Sequence, residues 1–167
     1  MNVLSEKVKF VNALIPVADA WDANPGVSDI VNMENYRKLT FIVATGATTA
    51  VYPTITVLAG NANDSAATAI TFKYRTQIAA TDCTTAGGDV PSTLTDATVA
   101  GFAMTAAKVG GLYIIEVDAA VVAAAGTNFD HVRLNILQNA DTAQTACVLA
   151  ILSEPRYAQD VLATAID

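Results

Sequence analysis

Short runs in which apolar and polar side chains alternate are the feature of this sequence that most limits its fold. In residues 69–75, apolar Ile, Phe and Tyr side chains alternate with Thr, Lys and Arg. Successive side chains of a strand point to opposite faces, so this pattern predicts a strand with one buried and one solvated face. Similar strand signals recur at residues 39–44, 53–59, 99–104, 112–118 and 131–137. Turn residues rich in Gly, Asn, Asp and Thr separate them, which indicates antiparallel β-structure.

The last strand signal, residues 146–152, has a different pattern, because nearly every residue in it is apolar. A continuous apolar run predicts a central strand that is covered on both faces. Pro155 follows, and a proline lacks the N–H that a central strand must donate, so the sheet is expected to end there. Residues 119–125 have the alanine-rich composition of a helix, and the sequence leaves both one helical turn and a β edge open.

These elements predict an all-β fold: an antiparallel β-sandwich, jelly-roll-like in arrangement, or a closed barrel. The length of 167 residues suits one such domain, which we place at residues 27–152. Residues 1–26 are expected to form an extended N-terminal arm and residues 153–167 a C-terminal tail, because neither contains a core of its own. Deleting residues 1–15 is therefore expected to leave a folded domain that has lost a contact with its partners.

The charge balance argues against two classes of partner. A formal net charge of −7 and a pI near 4.4 argue against nucleic-acid binding, which depends on clustered Lys and Arg side chains. The sequence has no stretch of about 18 uncharged apolar residues, so no membrane partner is expected. Only 15% of the residues are charged, and the mean hydropathy is +0.40. Such a surface indicates contact with neighbouring proteins rather than with water alone.

The cysteines are predicted to be free thiols. Residues 7–20 resemble a short signal peptide, yet Glu6 and Pro16 weaken that pattern, so secretion is not expected. Without secretion, Cys83 and Cys147 remain in a reducing compartment and form no disulfide. Cys147 lies within an apolar run and is predicted to belong to the core, whereas Cys83 lies in a Thr-rich loop.

The residue patterns of the sequence predict no enzyme, cofactor or metal site. His131 is the single histidine and follows Asp130, so a local hydrogen bond at the start of a strand is expected. None of the serines lies in a Gly-x-Ser-x-Gly sequence. Glu116 and Asp118 are two residues apart and share a strand face. Paired carboxylates can do acid–base chemistry or bind calcium, but a solvated face on a half-buried strand is the interpretation we favour.

Four residues are predicted to take part in an interface. Trp21 is the single tryptophan, and it can either anchor the chain in a partner's pocket or cap its own sandwich. Tyr36 precedes the first strand signal of the domain. Arg156 and Tyr157 follow the last strand, where an arginine beside an aromatic ring can clamp a carboxylate or pair with Glu154 at the surface.

Six segments of the sequence carry a resemblance to known proteins: residues 8–13, 31–41, 72–75, 113–118, 132–134 and 152–157. They resemble a family of small tailed-bacteriophage virion proteins, the capsid decoration (cement) and head-associated proteins. The resemblance covers most of the chain, and its motifs are structural rather than catalytic.

The resemblance implies a non-enzymatic structural protein that binds the outer surface of the shell formed by the major capsid protein and stabilises it. It also implies a homo-oligomer, with a trimer favoured, on the capsid exterior of the virion and in the host cytoplasm during assembly. Two alternatives remain open. One is another virion component, such as a head–tail joining or tail protein, and the other is a carbohydrate-binding adsorption module.

Overall fold

Two antiparallel sheets make up most of the computed structural model, which describes residues 3–18, 20, 26–46, 53–62, 65–77, 89–104, 111–137, 144–157 and 162–166. A short 3-10 turn covers Leu4–Glu6, and one helix, α1, covers Ala119–Ala125. The strands are β1 (Lys9–Val17), β2 (Gly26–Val27), β3 (Val31–Asn32), β4 (Tyr36–Thr45), β5 (Thr54–Gly60), β6 (Thr68–Ile70), β7 (Phe72–Gln77), β8 (Thr95–Ala97), β9 (Phe102–Ala103), β10 (Gly111–Asp118), β11 (His131–Leu137) and β12 (Ala146–Pro155).

The strand order defines a sandwich. The first sheet has the order β1-β12-β4-β10-β7-β8, and the second has the order β2-β11-β5-β6, with β3 also on β11 and β9 also on β5. Because the described strands form two sheets that pack together, the sandwich prediction is confirmed and the closed barrel is not. The predicted end of the last strand at Pro155 is also confirmed, and residues 119–125 form a helix rather than a β edge.

The core lies between the two sheets and is built from the alternation that the sequence shows. Phe41 and Ile115 of the first sheet are fully buried, as are Ile55, Leu134 and Ile136 of the second. Burying each such side chain stabilises the fold by about 1.5–3 kcal/mol. The inward residues of both sheets therefore supply most of the stability, and their partners at the next position along each strand point outwards.

The strand predicted at residues 69–75 belongs to both sheets. Its first part is β6, which pairs with β5 in the second sheet, and its second part is β7, which pairs with β10 in the first. Only Thr71 lies between them. Ile70 and Phe72 are both buried, so the chain keeps its alternation while it bends from one sheet to the other.

The predicted N-terminal arm, residues 1–26, contains a strand of the first sheet. β1 pairs with β12 from Lys9 to Val17, and Val11 and Ala13 are buried in the core. Phe10 and Ile15 are apolar although they occupy exposed positions of this strand. The sequence of β1 therefore shows no regular alternation of apolar and polar residues. Proline is tolerated because β1 is an edge strand, which explains why Pro16 does not interrupt the pairing. This part of the chain is integral to the sandwich.

The predicted C-terminal tail, residues 153–167, also differs from a free segment. β12 extends to Pro155, and residues 162–166 lie against the chain's own domain. The Tyr36 hydroxyl donates a hydrogen bond to the carbonyl oxygen of Ala163 at 2.7 Å, and the Asn32 N–H donates to that of Ala165 at 2.9 Å. Ala165 itself is buried. These contacts hold the segment near the start of β4.

Candidate functional site

Tyr36 is the predicted interface residue whose surroundings the structure defines most completely. Its side chain is 1% exposed in the core, and burial raises the pKa of its hydroxyl. The ring therefore serves the fold, and the predicted interface role finds no exposed surface at this position. Trp21 lies outside the described residues, and its role stays a prediction.

Arg156 and Tyr157 leave the end of β12 at the surface. The Arg156 N–H donates to the carbonyl oxygen of Asn35 at 2.9 Å, and the Tyr157 side chain is 64% exposed. Arg156 lines a small hollow of about 300 Å³ together with Arg37 and Asp118. Among the described residues Arg156 forms no ion pair with Glu154. Both side chains are available to a partner, and their interface role stays a prediction.

The histidine and the carboxylate pair have the local surroundings that the sequence predicted. Nδ1 of His131 donates a hydrogen bond to Oδ1 of Asp130 at 2.5 Å, and His131 is buried at the start of β11. Glu116 and Asp118 point outwards from β10, and Glu116 is exposed. The predicted local hydrogen bond is confirmed, and the two carboxylates are accessible as predicted, whereas Leu112 and Ile114 make the rest of that face of β10 apolar. In the described part of the chain, no three His, Cys, Asp or Glu side chains are grouped so that they could hold a metal ion.

Asp118 links the first sheet to helix α1. Its Oδ1 accepts a hydrogen bond from the Ala120 N–H at 2.8 Å, which is the usual way in which an aspartate caps a helix N-terminus. Its Oδ2 contacts the ammonium group of Lys38 on the neighbouring strand. The hydrogen bond from Lys38, followed by that from Ala120, lowers the pKa of Asp118, and the same contact with Asp118 raises the pKa of Lys38.

Substitutions of Asp118 distinguish the contribution of the helix cap to stability from that of the ion pair with Lys38. We expect Asp118→Ala to lower the free energy of unfolding by about 1 kcal/mol, since the cap and the ion pair are both lost. Asp118→Asn keeps a capping oxygen and should cost less than half as much. The lowered pKa means that the charged carboxylate favours the folded state, and this contribution is lost as the pH falls below about 4. Urea titrations at pH 7 and pH 3 should show a smaller pH-dependent loss for Asp118→Asn than for the unsubstituted protein.

The outer face of the first sheet is the most distinctive surface of the molecule. Eight outward-pointing apolar side chains cover it, and we name them the outer patch: Phe10, Ile42, Ala44, Leu112, Ile114, Cys147, Leu149 and Ile151. Phe10 is 42% exposed, and the other seven are half-buried. Each alternates with a fully buried neighbour on the inner face, so both faces of these strands are apolar.

The strand register makes the outer patch continuous. Ile42 on β4 lies between Leu149 on β12 and Ile114 on β10, and the three side chains point the same way. One step along the strands, Ala44 lies between Cys147 and Leu112 in the same manner. Phe10 on β1 lies beside Ile151 and extends the patch to the edge of the sheet. Direct cross-strand neighbours of this kind are in contact.

A charged border adjoins the outer patch on the same face. We define it as Lys38, Lys73, Arg75, Asp96, Glu116 and Asp118. Lys38 pairs with Asp118, and Lys73 pairs with Asp96. Five of the six, all except Arg75, line an open depression of about 940 Å³ beside α1. The six side chains of the border carry no net charge, and Glu154, which lines the same depression, adds one negative charge.

Sequence reasoning found the strands of the outer patch but not the patch itself. The run at 146–152 predicts cover on both faces, and the described part of the chain covers only the inner one. Cys147, predicted in the core, is half-buried and points outwards. Like β12, the strands β4 and β10 have apolar residues at outward positions. The patch is recognisable only from the pairing order, which places these three strands side by side.

Comparison with known proteins gives one distant likeness. No protein-family model matches the chain, and no curated protein matches it. The crystal structure of the SPBc2 prophage-derived protein YomS is similar over 88% of this chain and 93% of that chain, with a TM-score of 0.42 and 11% sequence identity. No helix in the described ranges is long and apolar enough to cross a membrane. The likeness to YomS is long in extent, and both its geometric agreement and its sequence identity are low.

Proposed function

We propose that this protein is a non-enzymatic structural component of a tailed-phage virion: a decoration protein that binds the exterior of the major capsid shell and reinforces it. The observation that carries the proposal is the outer patch. Seven of its eight residues lie on the central strands β12, β4 and β10 of a six-stranded sheet and none lies on a loop, so the surface is preformed. Such a surface suits a subunit that stays in contact with other subunits of an assembly, its own copies included.

The residues that resemble virion proteins support the same proposal. Residues 31–41, 113–118 and 152–157 overlap β4, β10 and the end of β12, which are the three strands that carry most of the patch. These segments therefore lie in the sheet that carries the outer patch, although of the eight patch residues only Phe10 and Ile114 fall within the six segments; the other segments also fall mainly on strands.

The charge of the protein supports a place outside the shell. The chain has 16 acidic and 9 basic residues, whereas proteins that contact packaged DNA gain affinity from clusters of Lys and Arg. Two of the basic side chains, Lys38 and Lys73, are also engaged by aspartates on the charged border. A position on the capsid exterior needs no contact with phosphate groups.

The carbohydrate-binding alternative has less support from the aromatic residues. Sugar-binding surfaces need exposed rings, and four aromatic residues of this chain pack against each other at the core instead. Tyr74 and Phe102 stack with ring centroids 3.9 Å apart, Phe72 lies against both rings, and Tyr113 lies against Phe102. Stacked rings of this kind stabilise the sandwich and leave little ring surface for a sugar.

Particles of a phage that encodes this chain provide the direct test. We expect electron microscopy to show the protein in many copies over the whole outer shell, and particles that lack it to lose DNA at a lower temperature. Adding the purified protein back should restore the loss temperature, and Val90→Ser, a change at an exposed loop residue, should restore it equally well.

Other locations would contradict the proposal in distinguishable ways. Density only at the portal vertex or along the tail would identify a joining or tail protein. Absence from purified particles would exclude a virion role. Specific binding of the purified protein to a glycan array, without binding to shells, would favour the adsorption module.

A further inference from the structure

We propose that the outer patch is the binding site for a second copy of this chain, so that two first sheets pack face to face about a two-fold axis. The proposal goes beyond the virion role by naming a second copy of this chain as the neighbour that covers the outer patch, so that contact with the shell is left to other surfaces. It assigns the partner of this one face and leaves Arg156 and Tyr157 free to meet another protein.

The residue pattern of the central strands requires cover on the outer face. An antiparallel strand with one solvated face has polar residues at its outward positions, and β7 follows this rule with Lys73 and Arg75. β12 does not, because Cys147, Leu149 and Ile151 point outwards between fully buried inward residues. Both patterns occur in one sheet, so the apolar outward positions are specific to the strands of the patch.

The size of the face matches what a stable dimer needs. With strands about 4.8 Å apart and same-face residues about 6.8 Å apart, each outward position covers about 33 Å², so the eight residues of the patch cover roughly 260 Å². With the charged border, five strands of about eight residues present roughly 650 Å². Each partner of a standard interface buries about 600–1,000 Å².

The charge of the face favours a second copy over a charged partner. The border has three basic and three acidic side chains, although the whole chain carries −7. Two such faces meet with little net repulsion, while the rest of the surface keeps the remaining parts of the molecules apart. The Lys38–Asp118 and Lys73–Asp96 pairs each present both signs, so either can pair again across the interface.

Face-to-face packing of one surface on itself is a closed, two-fold contact. An apolar centre with a polar border is also the usual anatomy of an interface between identical subunits. The dimer is therefore the expected assembly in solution, in place of the trimer that the sequence resemblance favours. A trimer requires two different surfaces on each copy, and the outer patch is a single surface.

Sedimentation of the purified chain over a range of concentrations tests the proposal. We expect a mass of twice 17.3 kDa for the unsubstituted protein. Ile42→Thr with Leu149→Thr keeps β-forming residues at the centre of the patch and should weaken association by about 100-fold, because each dimer loses four buried aliphatic side chains. Val27→Thr with Leu137→Thr is the matched control, since both residues are exposed on the outer face of the second sheet. The control should remain dimeric.

Thiol labelling gives a second measurement that needs no change in the patch. In a Cys83→Ser background, Cys147 is the remaining thiol, and its half-buried side chain becomes covered in the dimer. We expect its labelling rate with a maleimide to fall at least 10-fold as the protein concentration rises through the dissociation constant. A rate that does not depend on concentration contradicts the dimer, whatever the folding of the patch variant.

Each remaining outcome decides the matter as well. A monomer at every concentration, a trimer, or a dimer that survives Ile42→Thr with Leu149→Thr would overturn the proposal, and so would equal loss of the dimer in the patch variant and in the control. None of these results bears on the location of the protein in phage particles, so failure of the dimer and failure of the virion role are separate observations.

Discussion

Deletion of residues 1–17 is expected to abolish cooperative folding, whereas deletion of residues 1–8 is expected to leave a folded protein. The longer deletion removes β1, which pairs with β12 along its length and places Val11 and Ala13 in the core. Loss of the strand leaves the edge of β12 unpaired and opens one side of the sandwich. We expect a cost of about 4 kcal/mol or more, which is most of the stability of a marginal domain.

The shorter deletion is the matched control. It removes the 3-10 turn at Leu4–Glu6, which contains no buried residue, and leaves β1 in place. Urea denaturation followed by circular dichroism should give similar midpoints for this variant and the full chain. Equal stability after deletion of residues 1–17 would show that β1 is dispensable. That result would restore the view from the sequence that removing residues 1–15 affects association alone.

Substitution of Gly101 by alanine should cause the second large effect. Gly101 has a φ of +75° and donates its N–H to the carbonyl oxygen of Thr98 at 2.9 Å, which closes a tight turn before β9. A Cβ atom there would overlap the carbonyl oxygen of Ile55 and lie 2.8 Å from Cγ2 of Thr56. Backbone strain and a clash with β5 act together, so we expect a loss of about 3 kcal/mol.

Gly46→Ala separates this effect from the general cost of replacing a glycine. A Cβ atom at Gly46 would meet the side chain of Thr145 at 3.1 Å, and its backbone is not left-handed. We expect a change of less than about 1 kcal/mol for this variant in the same urea titration. A Gly101→Ala protein as stable as Gly46→Ala would mean that the turn does not adopt the described conformation.

The sequence predicts those strands in which apolar and polar residues alternate within the strand itself. β5, β10 and β11 appear where the alternation predicts them, because a period of two follows directly from one buried face. The predicted strand at 99–104 is instead a tight turn and the two-residue β9, since a left-handed glycine interrupts it. Its apolar residues made the turn look like a strand.

The remaining features depend on contacts between distant parts of the chain. Residues 162–166 dock through main-chain carbonyl groups that bond Tyr36 and Asn32, and carbonyl groups leave no trace in the sequence. The outer patch depends on the order β12-β4-β10, which alternation within one strand does not specify. The alternation along a strand shows whether one or both of its faces are apolar. It does not show whether an apolar face is covered by the same chain or by another molecule.

The passage of one strand from sheet to sheet at Thr71 has a mechanical consequence. Ile70 ends β6 in the second sheet and Phe72 begins β7 in the first, so a single residue of covalent backbone joins the two layers. If one sheet slides over the other, this connection must stretch. The covalent backbone therefore resists sliding in addition to the packing of side chains. Force applied to one sheet is transmitted to the other through the main chain itself.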